Sequence, residues 1–155
     1  MNEETKLRTN VKVGFSMIGS KLIPANVTTE LGIAPTWQWV KGDLKGKHWI
    51  EKGILKYSDE LNPPTHATNY WAISTGFEET LDVETQILKI YNLLREKADV
   101  LKAIKRRYGL EYVVVIAVDM INRQAPAFSL PRWFIDFVHA IEIDSTEIDL
   151  YCSQD

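Results

Sequence analysis

Over residues 79–108 the apolar positions Leu81, Ile87, Leu88, Tyr91, Leu94, Ala98, Leu101, Ile104 and Tyr108 recur mostly at steps of three and four. At 3.6 residues per turn this spacing gathers them into one stripe, the signature of a helix that buries one side. Asp99 is placed to cap a second helix and to end the first near Lys97, so the stripe reads as one long helix or two in tandem. Gly109 stops it, directly after Lys105, Arg106 and Arg107, whose charges suit the negative end of the helix dipole.

The segments around this helix alternate with the shorter period of strands. In 10–18, NVKVGFSMI, residues Val11, Val13, Phe15 and Met17 share one face. Pro24 opens and Gly32 closes a short helix, and Pro35 forbids its continuation, so Trp37 and Trp39 fall on one face of an extended piece and Gln38 and Val40 on the other. Turns dominate 41–69, with Trp49, Ile50, Ile54 and Leu55 tucking the excursion against the domain, before an aromatic and β-branched strand over 69–75. The run EYVVVIAVDM is apolar enough to be a central strand buried on both faces. INRQAP turns the chain, AFSL forms a strand, Pro131 starts a helix over RWFIDFVHAI, and Ile143, Thr146, Ile148 and Leu150 alternate in a last strand ending at Tyr151.

Helices that separate groups of strands point to the α+β class. The expectation is a single domain over 10–155, with 1–9 as a flexible N-terminus. In it a largely antiparallel mixed sheet packs against the long or tandem helices, with two short helices in βαβ arms. Phe15-Ser16-Met17 with its following helix and strand echoes Phe128-Ser129-Leu130 with the later ones; two such arms would account for the echo, and so would chance.

At 155 residues, 45% hydrophobic and 25% charged, the chain is of one-domain size and far from the composition of disordered segments. Cys152 is its one cysteine, which leaves no internal disulfide or multi-cysteine zinc site and suits reducing surroundings. No apolar run has the length of a signal peptide or a membrane span, so a cytoplasmic location is expected, with no membrane partner. The net charge of −3 is unevenly spread: after Arg132 there is no lysine or arginine, while Asp136, Glu142, Asp144, Glu147, Asp149 and Asp155 follow. Such an end repels nucleic acid and attracts a basic protein, and Asp144, Glu147 and Asp149 are the partner-binding candidates. A solvated acidic edge strand is the plainer reading of the same charges.

The stretch TWQWVKGDLKGKHW invites two chemical readings, and each lacks something. A phosphate loop needs four residues between its glycines and a hydroxyl after the lysine, whereas Gly42 and Gly46 enclose three residues and His48 follows Lys47. Lys41, Lys45, Lys47, Lys52 and Lys56 beside Trp37, Trp39 and Trp49 have the ingredients of a single-strand groove. Tryptophan is mostly buried and the chain is acidic overall, so packing of the indoles in the core is the favoured expectation. His48, His66 and His139 stand too far apart for a local metal pair, no Gly-x-Ser-x-Gly elbow occurs, and Cys152 lacks an activating neighbour. No catalytic residue, metal or cofactor is therefore assigned. Asp119, at the end of the apolar strand, is expected to cap the following turn. The leading expectation is a non-enzymatic protein-binding domain. The alternative is a small-molecule site or enzyme with Trp37, Trp39, His66, Trp71 and Asp119 lining a cleft.

Three stretches, FSMIGSKLIPANVTTELGIAPTWQWVKGD, NYWAIST and AFSLPRWFIDFVHAIEIDSTEIDLY, carry a family resemblance. Its specific parts are Leu31-Gly32-Ile33 with Pro35-Thr36, the Lys41-Gly42-Asp43 turn and the acidic, tyrosine-ended last strand, and in these the chain resembles the uncharacterised bacterial domain-of-unknown-function family numbered 4279. The resemblance implies a small intracellular bacterial α+β domain and brings no catalytic residues. Small acidic bacterial proteins of this sort include immunity partners of toxins, which by analogy implies a basic nuclease as partner.

Overall fold

The structure, a computed structural model, describes residues 8–53 and 63–153, leaving aside the side chains of His48 and Trp49. Its elements in chain order are β1 (Asn10–Gly19), α1 (Pro24–Leu31), β2 (Trp37–Trp39), α2 (Lys47–Glu51), β3 (Asn69–Ser74), β4 (Glu78–Glu79), α3 (Val83–Leu94), α4 (Ala98–Tyr108), β5 (Glu111–Met120), α5 (Arg132–Ala140) and β6 (Ser145–Cys152). The sheet runs β2-β3-β1-β5-β6, with β4 pairing the start of β1. Every pairing is antiparallel except β5 with β6.

Two βαβ arms are present, the second starting from β5 and not from the expected strand at AFSL. β5-α5-β6 joins adjacent parallel strands, whereas β1-α1-β2 joins strands that run in the same direction with β3 inserted between them. The period-two pattern of β1 sends Val11, Val13, Phe15 and Met17 to one face, each fully buried, in register with Val118, Ile116, Val114 and Tyr112 of β5. Val27 and Leu31 of α1, Val83, Ile87, Ile90 and Leu94 of α3, Leu101 and Ile104 of α4, and Phe134 and Phe137 of α5 close over that face in one continuous core. Four helices thus lie on one side of the sheet.

The 79–108 stripe is two helices in tandem. A 3-10 turn over Arg95–Lys97 joins α3 to α4, and Asp99 sits in the first turn of α4 without capping it. The helix begins later than its apolar residues suggest: Asp82 accepts a hydrogen bond from the Thr85 N–H at 3.0 Å and fixes the start at Val83. That start sets the buried phase at Val83, Ile87, Ile90 and Leu94, so Leu81 and Leu88, expected in the stripe, are exposed. The buried Gln86 instead points to β4, where its amide donates to Glu78 at 3.0 Å. At the other end Gly109, with φ of 62°, takes the left-handed conformation that releases the chain into β5.

Three further expectations are corrected. AFSL is not a strand: between Pro126 and Pro131, neither of which has a backbone N–H to donate, only Ala127 forms a bridge, to Asp82. Pro131 is the cap residue before α5, one position outside the helix. The 41–69 excursion contains the short helix α2, with Ile50 half-buried; Ile54 and Leu55 lie outside the described residues. Of the N-terminal stretch 1–9, residues 1–7 also lie outside them, whereas Thr9 is fully buried, donating to the Gln124 carbonyl and accepting from the Ile121 N–H.

Candidate functional site

The side of the sheet away from the helices carries Trp37 and Trp39 of β2 and Tyr70 of β3. Pairing puts Trp37 opposite Ala72 and Trp39 opposite Tyr70, so the even spacing of the two tryptophans sends both rings to this side. Core packing of these indoles is therefore not what the fold does with them. Trp37 is 43% exposed and Trp39 is half-buried. The expected burial is met by Trp71, one register step away on the helix face: it is fully buried and its Nε1–H donates to Thr28 Oγ1 at 3.0 Å. Trp71 belongs to the core and cannot line the same cleft as Trp37 and Trp39.

His66 does join them. The chain after β2 folds back so that Gly42 N–H donates to His66 C=O at 2.9 Å, His66 N–H to Asp43 C=O at 2.9 Å, and Lys45 N–H to Pro64 C=O at 2.9 Å. These bonds prolong the β2-β3 hairpin and hold the imidazole against Trp39, with ring centroids 4.0 Å apart and planes 15° from parallel. Tyr70 also stacks on Trp39 at 4.0 Å and 6°. Burial in this stack lowers the His66 pKa below its usual 6.5; the nearby Lys45 charge lowers it further, and Asp43 opposes both.

The hairpin encloses a cavity of about 240 Å³, with Trp37, Gln38, Trp39, Asp43, Lys47 and His66 in its walls. Asp43 shapes it from within, one carboxylate oxygen accepting from the Val40 N–H at 3.0 Å and so closing the turn after β2. A smaller cavity of about 140 Å³ lies on the sheet itself, between Trp37, Tyr70, Ser16 and Lys12. Trp37 is the wall common to both.

Asp119 is elsewhere. Its partner in β1 is Asn10, whereas Trp37 stands in the row of Ala72, Ser16 and Val113, and at ~3.4 Å per residue the rows are roughly 20 Å apart along the strands. Nor does Asp119 cap the turn after β5. Its carboxylate accepts from the Ser153 hydroxyl at 2.7 Å, and the turn is closed by Gln124 N–H to Ile121 C=O.

The three acidic partner-binding candidates divide in the same way. β6 is an edge strand, paired among the described strands only with β5. Glu147 and Asp149 stand opposite Val115 and Ala117 and so face the side away from the helices. Asp144 precedes the strand and is engaged internally. Its Oδ2 accepts from the Tyr112 N–H at 2.7 Å and from Lys105 Nζ at 2.5 Å. Partial burial opposes its ionisation, but the Lys105 ammonium and the Tyr112 N–H outweigh this and hold its pKa below the usual carboxylate range.

The model of a family described as "Domain of unknown function (DUF4279)" matches residues 9–153. The chain belongs to the DUF4279 family. That match spans the whole sheet and both βαβ arms of this DUF4279 domain, including the hairpin cavity and the acidic edge. No curated protein and no solved structure matches the chain. Among the described residues no group of three or more His, Cys, Asp or Glu converges to hold a metal ion, and no helix is long and apolar enough to cross a membrane.

In the sequence, three members of the hairpin site do not read as part of a shared site with the tryptophans and His66. Tyr70 stands within an aromatic strand, Asp43 in the Lys41-Gly42-Asp43 turn, and Lys47 among the lysines of a phosphate-loop or single-strand reading. Strand pairing brings Tyr70 to Trp39, and the return of 63–66 onto 41–45 closes the rest of the site.

Proposed function

We propose that this domain is a non-enzymatic protein-binding module that receives a basic partner on its C-terminal edge strand. One observation carries the reading: β6 has no strand on its outer side among the described residues, and it presents acid on one face and apolar side chains on the other. Glu147 and Asp149 point away from the helices, while Ile148 and Leu150 are 48% and 63% exposed on the helix side. An unpaired edge offers backbone N–H and C=O groups to an incoming strand. The carboxylates would steer a cationic surface to it and repel acidic competitors, and the absence of lysine and arginine after Arg132 leaves that field unopposed within the strand. An immunity-type partner of a basic toxin, acting in the bacterial cytoplasm, has this chemistry.

The test compares what the tagged wild-type domain and its Glu147→Lys/Asp149→Lys variant retain from the native host. The reading expects a protein of basic isoelectric point that the wild type holds at low salt, the variant does not, and added salt releases. If the two retain the same proteins, the acidic edge is not the interface.

A further inference from the structure

We propose that the hairpin cavity beneath Trp37 is a carbohydrate site, sized for one uncharged sugar ring. The inference goes beyond the edge-strand reading, because it concerns the opposite edge of the sheet and would stand or fall without it.

The size of the cavity limits the ligand first. About 240 Å³ is below the ~300–1,000 Å³ typical of pockets for drug-sized molecules. Charge limits it next. Among the described residues the walls contain one carboxylate, Asp43, and one ammonium, Lys47, and the stacked His66 has its pKa lowered below 6.5, so it is mostly neutral near pH 7. An anion would meet Asp43 and a cation Lys47, and each would forfeit on one wall what it gained on the other. A wholly apolar ligand would strip water from Asp43, Lys47 and His66 and return no hydrogen bonds.

What remains is a neutral molecule with an apolar face and a polar rim. A pyranose has that form: axial C–H bonds make one face apolar, and hydroxyls around the edge both donate and accept. The cavity mirrors it, with the Trp37 indole as an apolar wall and with Asp43 accepting, Lys47 donating, and neutral His66 doing one at each nitrogen. The walls are also set in place beforehand. Three backbone hydrogen bonds tie 42–45 to 64–66, and Trp39 is held in its stack with Tyr70 and His66, so little ordering is left for the ligand to supply.

Saturation-transfer NMR tests this with the full chain and the methyl pyranosides of glucose, galactose, mannose and N-acetylglucosamine at millimolar concentration, with benzoate and free indole as counter-probes. At least one glycoside should receive saturation on the C–H protons of one ring face. Trp37→Ala should weaken that binding about tenfold, and Lys47→Ala, at an exposed side chain, should weaken it several-fold. The proposal is overturned if no glycoside receives saturation, if only benzoate or indole does, or if the glycoside signal is unchanged in a folded Trp37→Ala protein. Should that variant fail to fold, unchanged binding in Lys47→Ala overturns it instead. The Glu147→Lys/Asp149→Lys variant should bind the sugar as the wild type does, which separates this outcome from the fate of the edge-strand reading.

Discussion

The Tyr112 hydroxyl donates to the carbonyl oxygen of Leu101 at 2.6 Å, tying the second residue of β5 to the middle of α4 inside the core. Two residues of one local sequence neighbourhood thereby lock helix to sheet across the Gly109 turn. Burial raises the phenol pKa well above its usual 10, which keeps this group a donor at neutral pH. Tyr112→Phe keeps the ring and its edge-on contact with Phe15 but removes the donor. The cost should be about 1 kcal/mol, read as a lowered urea midpoint at unchanged slope. An unchanged midpoint would mean that the bond adds nothing to the ring's packing.

Asp144 fastens the start of β6 to both Tyr112 and Lys105, and this makes stability depend on acid. Its folded pKa lies below the unfolded value of ~3.9. A depressed carboxyl contributes its full stabilisation above the unfolded pKa and loses it as pH falls through the folded one. Asp144→Asn should therefore be less stable than wild type at neutral pH, and the gap should close on acidification below about pH 4. Melting temperatures measured across that range give the answer, and parallel curves would show that the ion pair with Lys105 does not stabilise the fold.

The tryptophans of the aromatic hairpin should separate sharply by substitution. Trp71 is fully buried and hydrogen-bonded, so Trp71→Ala opens a large cavity and should cost about 3–5 kcal/mol. Trp37, 43% exposed on the edge strand, should cost well under half of that when truncated. Chemical denaturation of the two variants makes the comparison. Equal losses would place Trp37 in the load that holds the sheet together, contrary to its position.

How far the sequence reveals this depends on the range of the interaction. Local signals read true where they act alone: Pro24 and Gly32 bound α1, the alternation of β1 gives its buried face, and the apolar run of β5 marks a strand between two others. Phase was harder. Leu81 and Leu88 look like stripe residues until Asp82 fixes where the helix begins, after which Gln86 is inside and Leu88 outside. Trp37, Trp39 and Trp71 are the same residue type in strands of similar pattern, and only sheet order and the one-sided placement of the helices decide which of them is core. The hairpin site was half legible. Trp37, Trp39 and His66 do converge, but Trp71 and Asp119 do not, because face and distance along a sheet are properties of pairing partners far away in sequence. Likewise the acidic tail reads as one cluster, although Asp144 is bound to Lys105 and Tyr112 while Glu147 and Asp149 face outward.

The stack of His66 on Trp39 supplies an optical probe of the hairpin. Its imidazole faces Lys45 and Asp43 as well as the indole, and burial together with the Lys45 charge lowers its pKa from 6.5 despite the opposing carboxylate. A histidine whose folded pKa is depressed binds its proton more weakly than the unfolded chain does, so the folded state loses stability as pH falls below the unfolded value of ~6.5. Protonation also places a cation on the Trp39 ring and should quench its emission. Tryptophan fluorescence should therefore fall on acidification with a midpoint below 6.5, and His66→Gln should abolish that transition while leaving the acid response due to Asp144 intact. A midpoint above 6.5, or a transition that survives in His66→Gln, would mean that the imidazole is not held in the stack. A sugar bound in the adjoining cavity, by shielding His66 further from water, should lower the midpoint again.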